Sequence, residues 1–103
     1  MVFGYWLEYN LIMASTESDD LGVYELADEH KNTVYYGSGK LKTELIDHLN
    51  RGEHSSVKFY RVEILGCDEK CSERLEALLV EYRKLHGHLS TYNLMGGLSD
   101  ARK

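Results

Sequence analysis

The sequence predicts a small α+β domain, in which an antiparallel sheet of three strands, or four if the N-terminal segment adds one, is flanked by helices. Two β-rich runs on either side of a short polar connection predict a hairpin, and a third run alternates apolar residues. Two further segments repeat leucine at helical spacing. A chain of 103 residues with 43% apolar content suffices for one domain with a modest core.

The first 20 residues are expected to form an extension to this domain. Residues 3–13 mix aromatic and aliphatic side chains without clean alternation, which fits a strand or a short helix, and we favour an added strand. The polar run 15–20 then separates this segment from the rest. The domain proper is expected to cover residues 21–95, and residues 96–103 to form a flexible tail.

The remaining elements follow in the order strand, strand, helix, strand, helix. Residues 22–27 and 33–37 are β-rich and flank a five-residue polar connection, so they predict an antiparallel hairpin. Residues 40–51 carry leucine at every fourth position, which predicts the first helix of the domain. Residues 57–65 alternate as a strand does, and residues 70–86 carry an apolar stripe that predicts a long helix.

Charge and hydropathy limit the classes of partner. No apolar stretch reaches the ~20 residues of a membrane helix, and no basic leader precedes the N-terminal apolar segment, so we expect no membrane association and a cytoplasmic location. The net charge of −5 is unevenly distributed, since the first 30 residues contain seven acids and no lysine or arginine. The later part of the chain can therefore still offer a surface to phosphate.

Two tyrosine motifs lie on the predicted hairpin, namely Gly-Val-Tyr at 22–24 and Tyr-Tyr-Gly at 35–37. Further along, the long helix contains Glu81, and Asn93 follows it. In this order the motifs resemble those of the GIY-YIG nuclease superfamily, over residues 22–93. The resemblance implies the small antiparallel sheet and helices of that family, as found in excision-repair and homing endonucleases.

The resemblance also implies a metal-dependent endonuclease that hydrolyses phosphodiester bonds in DNA or RNA. Glu81 would hold Mg²⁺ or Mn²⁺, Tyr24 would act as the general base or lie beside it, and Tyr35 would orient the phosphate. His48 matches a histidine often seen in the family, and would contact phosphate or pair with Glu44. All of these side chains are then expected to line one pocket.

Five residues are expected to bind substrate: Gly37, Lys40, Lys42, Arg74 and Asn93. The two lysines lie where the first predicted helix begins, and the N–H groups of a helix N-terminus suit phosphate. Arg74 or one of these lysines would replace an arginine that this chain lacks.

The missing arginine is the main departure from the family pattern. Where the family carries it, about two turns beyond the glycine of the second motif, this chain has Glu44 or Leu45. Losing a group that neutralises charge on the phosphate commonly costs several orders of magnitude in rate. The alternative is therefore a catalytically degenerate module that binds nucleic acid or a protein without cleaving it.

A third interpretation concerns the aromatic side chains of the N-terminal segment, which are Phe3, Tyr5, Trp6 and Tyr9. If exposed, they would form an apolar patch of the kind that mediates self-association. This predicts a homodimer.

Overall fold

The computed structural model describes residues 4–51 and 56–88, which form a four-stranded antiparallel sheet and three helices. This confirms the predicted α+β fold class and the order of elements from residue 21 onward. The strands are β1 (Leu7–Glu8), β2 (Leu21–Ala27), β3 (Thr33–Lys40) and β4 (Phe59–Ile64), and the helices are α1 (Leu11–Ser15), α2 (Leu41–Arg51) and α3 (Asp68–His86). The strands lie in the order β1-β4-β2-β3.

The β2–β3 hairpin forms as predicted, and Asp28 closes its connection. One carboxylate oxygen of Asp28 accepts hydrogen bonds from the backbone N–H groups of His30 and Asn32, each at 2.9 Å. Lys31 between them adopts a left-handed conformation with φ of 65°. An aspartate that bonds its own downstream backbone in this way stabilises a tight connection.

The two faces of the sheet carry different side chains, because neighbouring residues of a strand point to opposite sides. Tyr24 and Leu26 of β2 belong to one buried cluster, together with residues of α1 and α2; we call this side the tyrosine face. Val23 belongs to a second cluster with Tyr36 and residues of α3; we call this side the α3 face. The register pairs Tyr36 with Glu25, which places Glu25 on the α3 face as well.

The N-terminal segment forms both a strand and a helix, the two elements that its sequence did not distinguish. The expected strand is limited to the two residues of β1, which pair with β4. Asn10 then ends the extended stretch, because its side-chain oxygen accepts the Met13 backbone N–H at 2.9 Å and caps α1. Ala14 of α1 is completely buried on the tyrosine face, so this segment contributes to the core of the domain.

No helix in residues 4–51 or 56–88 combines the length and the apolar character needed to cross a bilayer.

Replacing Gly22 with alanine is expected to destabilise the fold by about 1–3 kcal/mol, the usual cost of overpacking a filled site. Gly22 lies on β2 between β3 and β4. A Cβ there would overlap the backbone carbonyl oxygen of Glu63 and lie 2.9 Å from Cδ1 of Leu41. The backbone of β4 can yield only by distorting the sheet. Urea denaturation measures the effect.

The matched control for this prediction is Ser72→Ala, because Ser72 is exposed on α3. We expect its denaturation midpoint to stay close to that of the parent protein. An unchanged midpoint in Gly22→Ala would contradict the tight approach of β4 to β2.

Candidate functional site

The two motif tyrosines meet on the tyrosine face. Tyr24 is 1% exposed, and its ring centroid lies 6.0 Å from that of Tyr35. The Tyr24 hydroxyl lies 2.8 Å from Nε2 of His48 and donates a hydrogen bond to Oε1 of Glu44 at 3.1 Å. Both contacts are satisfied when Nε2 of His48 carries the proton that bonds the tyrosine oxygen. Tyr24, Tyr35, Glu44 and His48 therefore form one connected group, which we call the tyrosine cluster.

Glu44 of the tyrosine cluster is one of the two residues, with Leu45, that stand where the resemblance implies an arginine. Its Oε1 is also 3.9 Å from Nε2 of His48, one helical turn later on α2. His48 thus lies close to Glu44, the partner in one of the two roles considered for it, while its shorter contact is to the Tyr24 hydroxyl. The charge that the cluster presents is that of a carboxylate.

Burial changes the acid–base behaviour of Tyr24. Desolvation first, and then the nearby Tyr35 and Glu44, raise the pKa of Tyr24 well above its ordinary value. The phenol therefore keeps its proton near neutral pH. A protonated phenol that already donates to a carboxylate is a poor acceptor for the proton of an attacking water.

Gly37 has a structural reason to be glycine. It pairs with Tyr24 across the hairpin, and the Tyr24 ring lies directly over it. A Cβ at this position would overlap the Tyr24 hydroxyl group and lie 2.8 Å from Cε2 of Tyr35. Gly37 thus makes room for the two tyrosines, and this accounts for it without a bound substrate.

The N-terminus of α2, which was expected to receive a phosphate, is already capped by a carboxylate. Oδ1 of Asp19 accepts hydrogen bonds from the backbone N–H and the hydroxyl of Thr43, each at 2.9 Å. These bonds, with smaller contributions from Lys40 and Lys42, lower the pKa of Asp19. Lys40 and Lys42, which were expected to bind substrate, therefore interact electrostatically with the Asp19 carboxylate.

Glu81 and Arg74 do not join the tyrosine cluster, which corrects the expectation of a single pocket. Both belong to α3, which packs on the opposite face of the sheet. Glu81 lines a cleft with Glu25 and Tyr36, and Arg74 donates from Nε to Oε1 of Glu63 at 3.2 Å. The helical pattern predicted correctly that Glu81 borders the sheet, but the face is the other one. Asn93, the last predicted site residue, lies outside the described residues.

The side chains around Glu81 do not fit the metal site that the resemblance implies. Within residues 4–51 and 56–88, no three histidine, cysteine, aspartate or glutamate side chains are grouped so as to hold a metal ion. The other acidic residue of the cleft lining, Glu25, accepts hydrogen bonds from Nε of Arg61 and from the hydroxyl of Thr33. The groups expected to act on phosphate, Tyr24 and Tyr35, lie across the sheet. We therefore derive no reaction step through Mg²⁺ or Mn²⁺.

The cleft on the α3 face was not anticipated from the sequence. Glu25, only 1% exposed, lies at its base beside Tyr36, while Tyr82 and His86 of α3 form a wall. The one sequence signal was a glutamate inside an otherwise apolar β-rich run, between Tyr24 and Leu26. A charged residue in a strand that is buried on both sides needs a partner, and Arg61 supplies it at 2.9 Å.

The geometry thus defines a small α+β domain with a closed tyrosine cluster on one sheet face and an open aromatic and acidic cleft on the other. Residues 5–84 match the family described as a domain of unknown function (DUF7508), and the chain belongs to that family. No curated protein matches the chain, and no solved structure does.

Proposed function

We propose that this domain is a catalytically degenerate relative of the GIY-YIG nucleases that acts as a protein-binding module. The observation that carries the proposal is the Glu44 carboxylate, which accepts the hydrogen bond of Tyr24 at one of the two positions, Glu44 and Leu45, where an arginine was expected. A carboxylate repels a phosphodiester and cannot stabilise the negative charge that develops during hydrolysis. The cytosolic location expected from the sequence is retained in this proposal.

Carboxylates at two further positions support a loss of phosphate binding. Asp19 takes the N–H donor of Thr43 at the start of α2, and Glu63 pairs with Arg74 on α3. At three places where a phosphate was expected to bind, a carboxylate of the chain itself is therefore present. These carboxylates belong to Glu44, Asp19 and Glu63. This favours a protein partner over a nucleic acid.

The exposed surface of α3 supports the choice of a protein partner. Val80 is 46% exposed and Leu85 is 72% exposed, and both line a shallow groove with Ala77 and Lys84. Apolar side chains grouped on an exposed helix are typical of contact surfaces between proteins. We therefore place the partner on the α3 face.

A homodimer is a second candidate, and a different surface favours it. Tyr5 is 92% exposed and Ile12 is 79% exposed, close to a groove that includes Trp6 and Met13. This apolar surface belongs to the segment from which the sequence predicted self-association. Sedimentation over a range of concentrations, for the parent protein and for Ile12→Asp, separates a dimer from a monomer.

We expect the full chain to leave plasmid DNA, single-stranded DNA and RNA uncleaved in Mg²⁺ or Mn²⁺. The physical reason is the Glu44 carboxylate beside Tyr24, together with the distance that the sheet puts between Tyr24 and Glu81. Gel assays over long incubations measure the remaining substrate. Tyr24→Phe and Glu81→Ala serve as matched variants and should give the same result as the parent chain.

Cleavage by the parent chain that is lost in both variants would replace this proposal with the endonuclease expected from the resemblance. Fluorescence anisotropy with the same nucleic acids gives a second readout. Saturable binding that weakens in Lys40→Ala and Lys42→Ala would identify a nucleic-acid module and overturn the choice of a protein partner.

A further inference from the structure

The sheet ends at β1, and within residues 4–51 and 56–88 no strand lies beside the outer edge of β1. The backbone N–H of Tyr9 donates to the carbonyl oxygen of Lys58 at 2.9 Å, so the backbone of Tyr9 is turned toward β4. Neighbouring residues of an antiparallel strand direct their backbone groups to opposite sides. Glu8, and Trp6 two residues before it, therefore direct their N–H and C=O groups away from the sheet.

Apolar side chains flank this outer edge. Tyr5 is 92% exposed, Leu11 is 56% exposed and Ile12 is 79% exposed. A groove follows the edge, and Ile12 and Met13 of α1 line it together with Leu7 of β1. Exposed backbone groups and exposed apolar side chains thus occur at the same place. This combination is the one that binding by strand addition uses, with affinity from the backbone and specificity from the side chains.

The outer edge of β1 is complementary to itself in one antiparallel register. If Leu7 of two chains lie opposite each other, Trp6 of each chain faces Glu8 of the other, and each such pair can exchange two backbone hydrogen bonds. A register centred on Glu8 would place two like charges directly opposite, which is destabilising. A register centred on Trp6 would pair Glu8 with Gly4, whose φ of 117° does not fit a strand. The register centred on Leu7 is therefore favoured.

The same register brings complementary side chains together. Leu7 and Tyr9 pack on the tyrosine face, and the alternation of a strand assigns Tyr5 to that side as well. Tyr5 of one chain would then lie opposite Tyr9 of the other chain, at the groove beside α1. On the α3 face, Glu8 of one chain would lie beside Trp6 of the other. The ring centroid of that tryptophan is 3.9 Å from Cζ of Arg61, so a carboxylate approaches a guanidinium.

We propose that two copies of the chain associate by antiparallel pairing of their β1 strands, which joins two four-stranded sheets into one continuous sheet. The inference rests on the second candidate of the proposed function, the homodimer, and names its interface. Two residues of edge strand give little stability by themselves, so the exposed side chains of Tyr5 and Ile12 supply most of the contact. Because the interface is small, we expect a weak dimer that depends on concentration.

The first test combines sedimentation of the full chain, from about 1 µM to about 1 mM, with amide hydrogen exchange. We expect the mass to rise toward twice that of the monomer, and exchange of the Glu8 amide to slow by about tenfold or more as the dimer fills. Tyr5→Ala and Ile12→Asp should each weaken association by about tenfold or more. Leu85→Asp is the matched control, because Leu85 is an exposed apolar residue on α3, and should leave association unchanged.

A cross-link tests the register. In the favoured register the two residues at position 7 form a non-hydrogen-bonded pair, with Cα atoms about 4.5 Å apart, a distance that a disulfide can span. The background is Cys67→Ser, which removes the exposed native thiol. Adding Leu7→Cys should give a covalent dimer when glutathione disulfide takes up the two electrons and leaves as two thiols. Ser72→Cys, on the exposed side of α3, is the control and should cross-link at least about tenfold more slowly.

The possible failures can be told apart. A chain that stays monomeric over the whole concentration range would overturn both the inference and the homodimer. A dimer whose Glu8 amide exchanges as fast as in the monomer, or whose Leu7→Cys variant cross-links no faster than Ser72→Cys, would overturn the β1 pairing and leave the homodimer standing. Nucleic-acid cleavage is measured separately, so none of these results restores or removes the proposed loss of nuclease activity.

Discussion

Raising the pH above about 10, the ordinary pKa of tyrosine, is expected to unfold the protein in one steep transition. Burial is the main cause that raises the pKa of Tyr9, Tyr24, Tyr36 and Tyr60 in the folded state. Below this pH both the folded and the unfolded chain keep these protons, so stability is unaffected. Above it the unfolded chain releases protons that the folded chain retains, so the free energy of unfolding falls as pH rises.

The expected slope is large because several tyrosines act together. Each group can contribute roughly 1.4 kcal/mol per pH unit, so four of them contribute about 5.6 kcal/mol per pH unit at most. Circular dichroism and the ultraviolet absorbance of phenolate are recorded on the same samples, and the part of the absorbance that comes from these four tyrosines should appear together with the loss of structure. Tyr24→Phe should make the dependence shallower, because it removes one of the four groups whose pKa burial raises. Phenolate absorbance from all eight tyrosines in a chain that keeps its native circular dichroism would contradict the prediction.

Replacing Glu25 with alanine is expected to destabilise the protein by about 3–5 kcal/mol, the usual cost of removing one partner of a buried ion pair. The Glu25 side chain is 1% exposed and that of Arg61 is 12% exposed, and they meet at 2.9 Å. Alanine would remove the carboxylate that balances the guanidinium, and also an acceptor for the hydroxyl of Thr33. Chemical denaturation measures the loss.

Glu63→Ala is the matched control for Glu25, because Glu63 pairs with Arg74 in a more exposed setting, with both side chains 27% exposed. Such pairs are worth about 1 kcal/mol or less. If Glu25→Ala cost no more than Glu63→Ala, the ion pair at the base of the cleft would be unimportant for stability. The double variant Glu25→Leu with Arg61→Met should recover part of the loss, because it leaves no buried charge.

The fold could be predicted from the sequence because its main signals are local. The β2–β3 hairpin follows from alternating runs around a polar connection, and Asp28 closes that connection through residues next to it in the chain. The helix α2 follows from its leucine spacing. The helix α1 was not distinguished from a strand, because the only sign of its start is the cap by Asn10 within a mixed aromatic run.

The candidate site was harder to predict because its contacts are distant in the chain. A helical wheel can place Glu81 at the edge of an apolar stripe, but the sheet face that α3 covers depends on how the chain turns after β4. The cap of α2 by Asp19 joins residues 24 positions apart. The partner of Glu25 is 36 positions away. None of these pairings has a signal within a short window of sequence.

The Asp28 connection also bears on the shape of the cleft on the α3 face. Lys31 and Asn32 form part of the cleft rim, and the two hydrogen bonds to Asp28 already hold this backbone in one shape. A connection held by hydrogen bonds to its own aspartate has few alternative conformations. We therefore expect the opening of the cleft to keep one shape, with little rearrangement at Lys31 and Asn32.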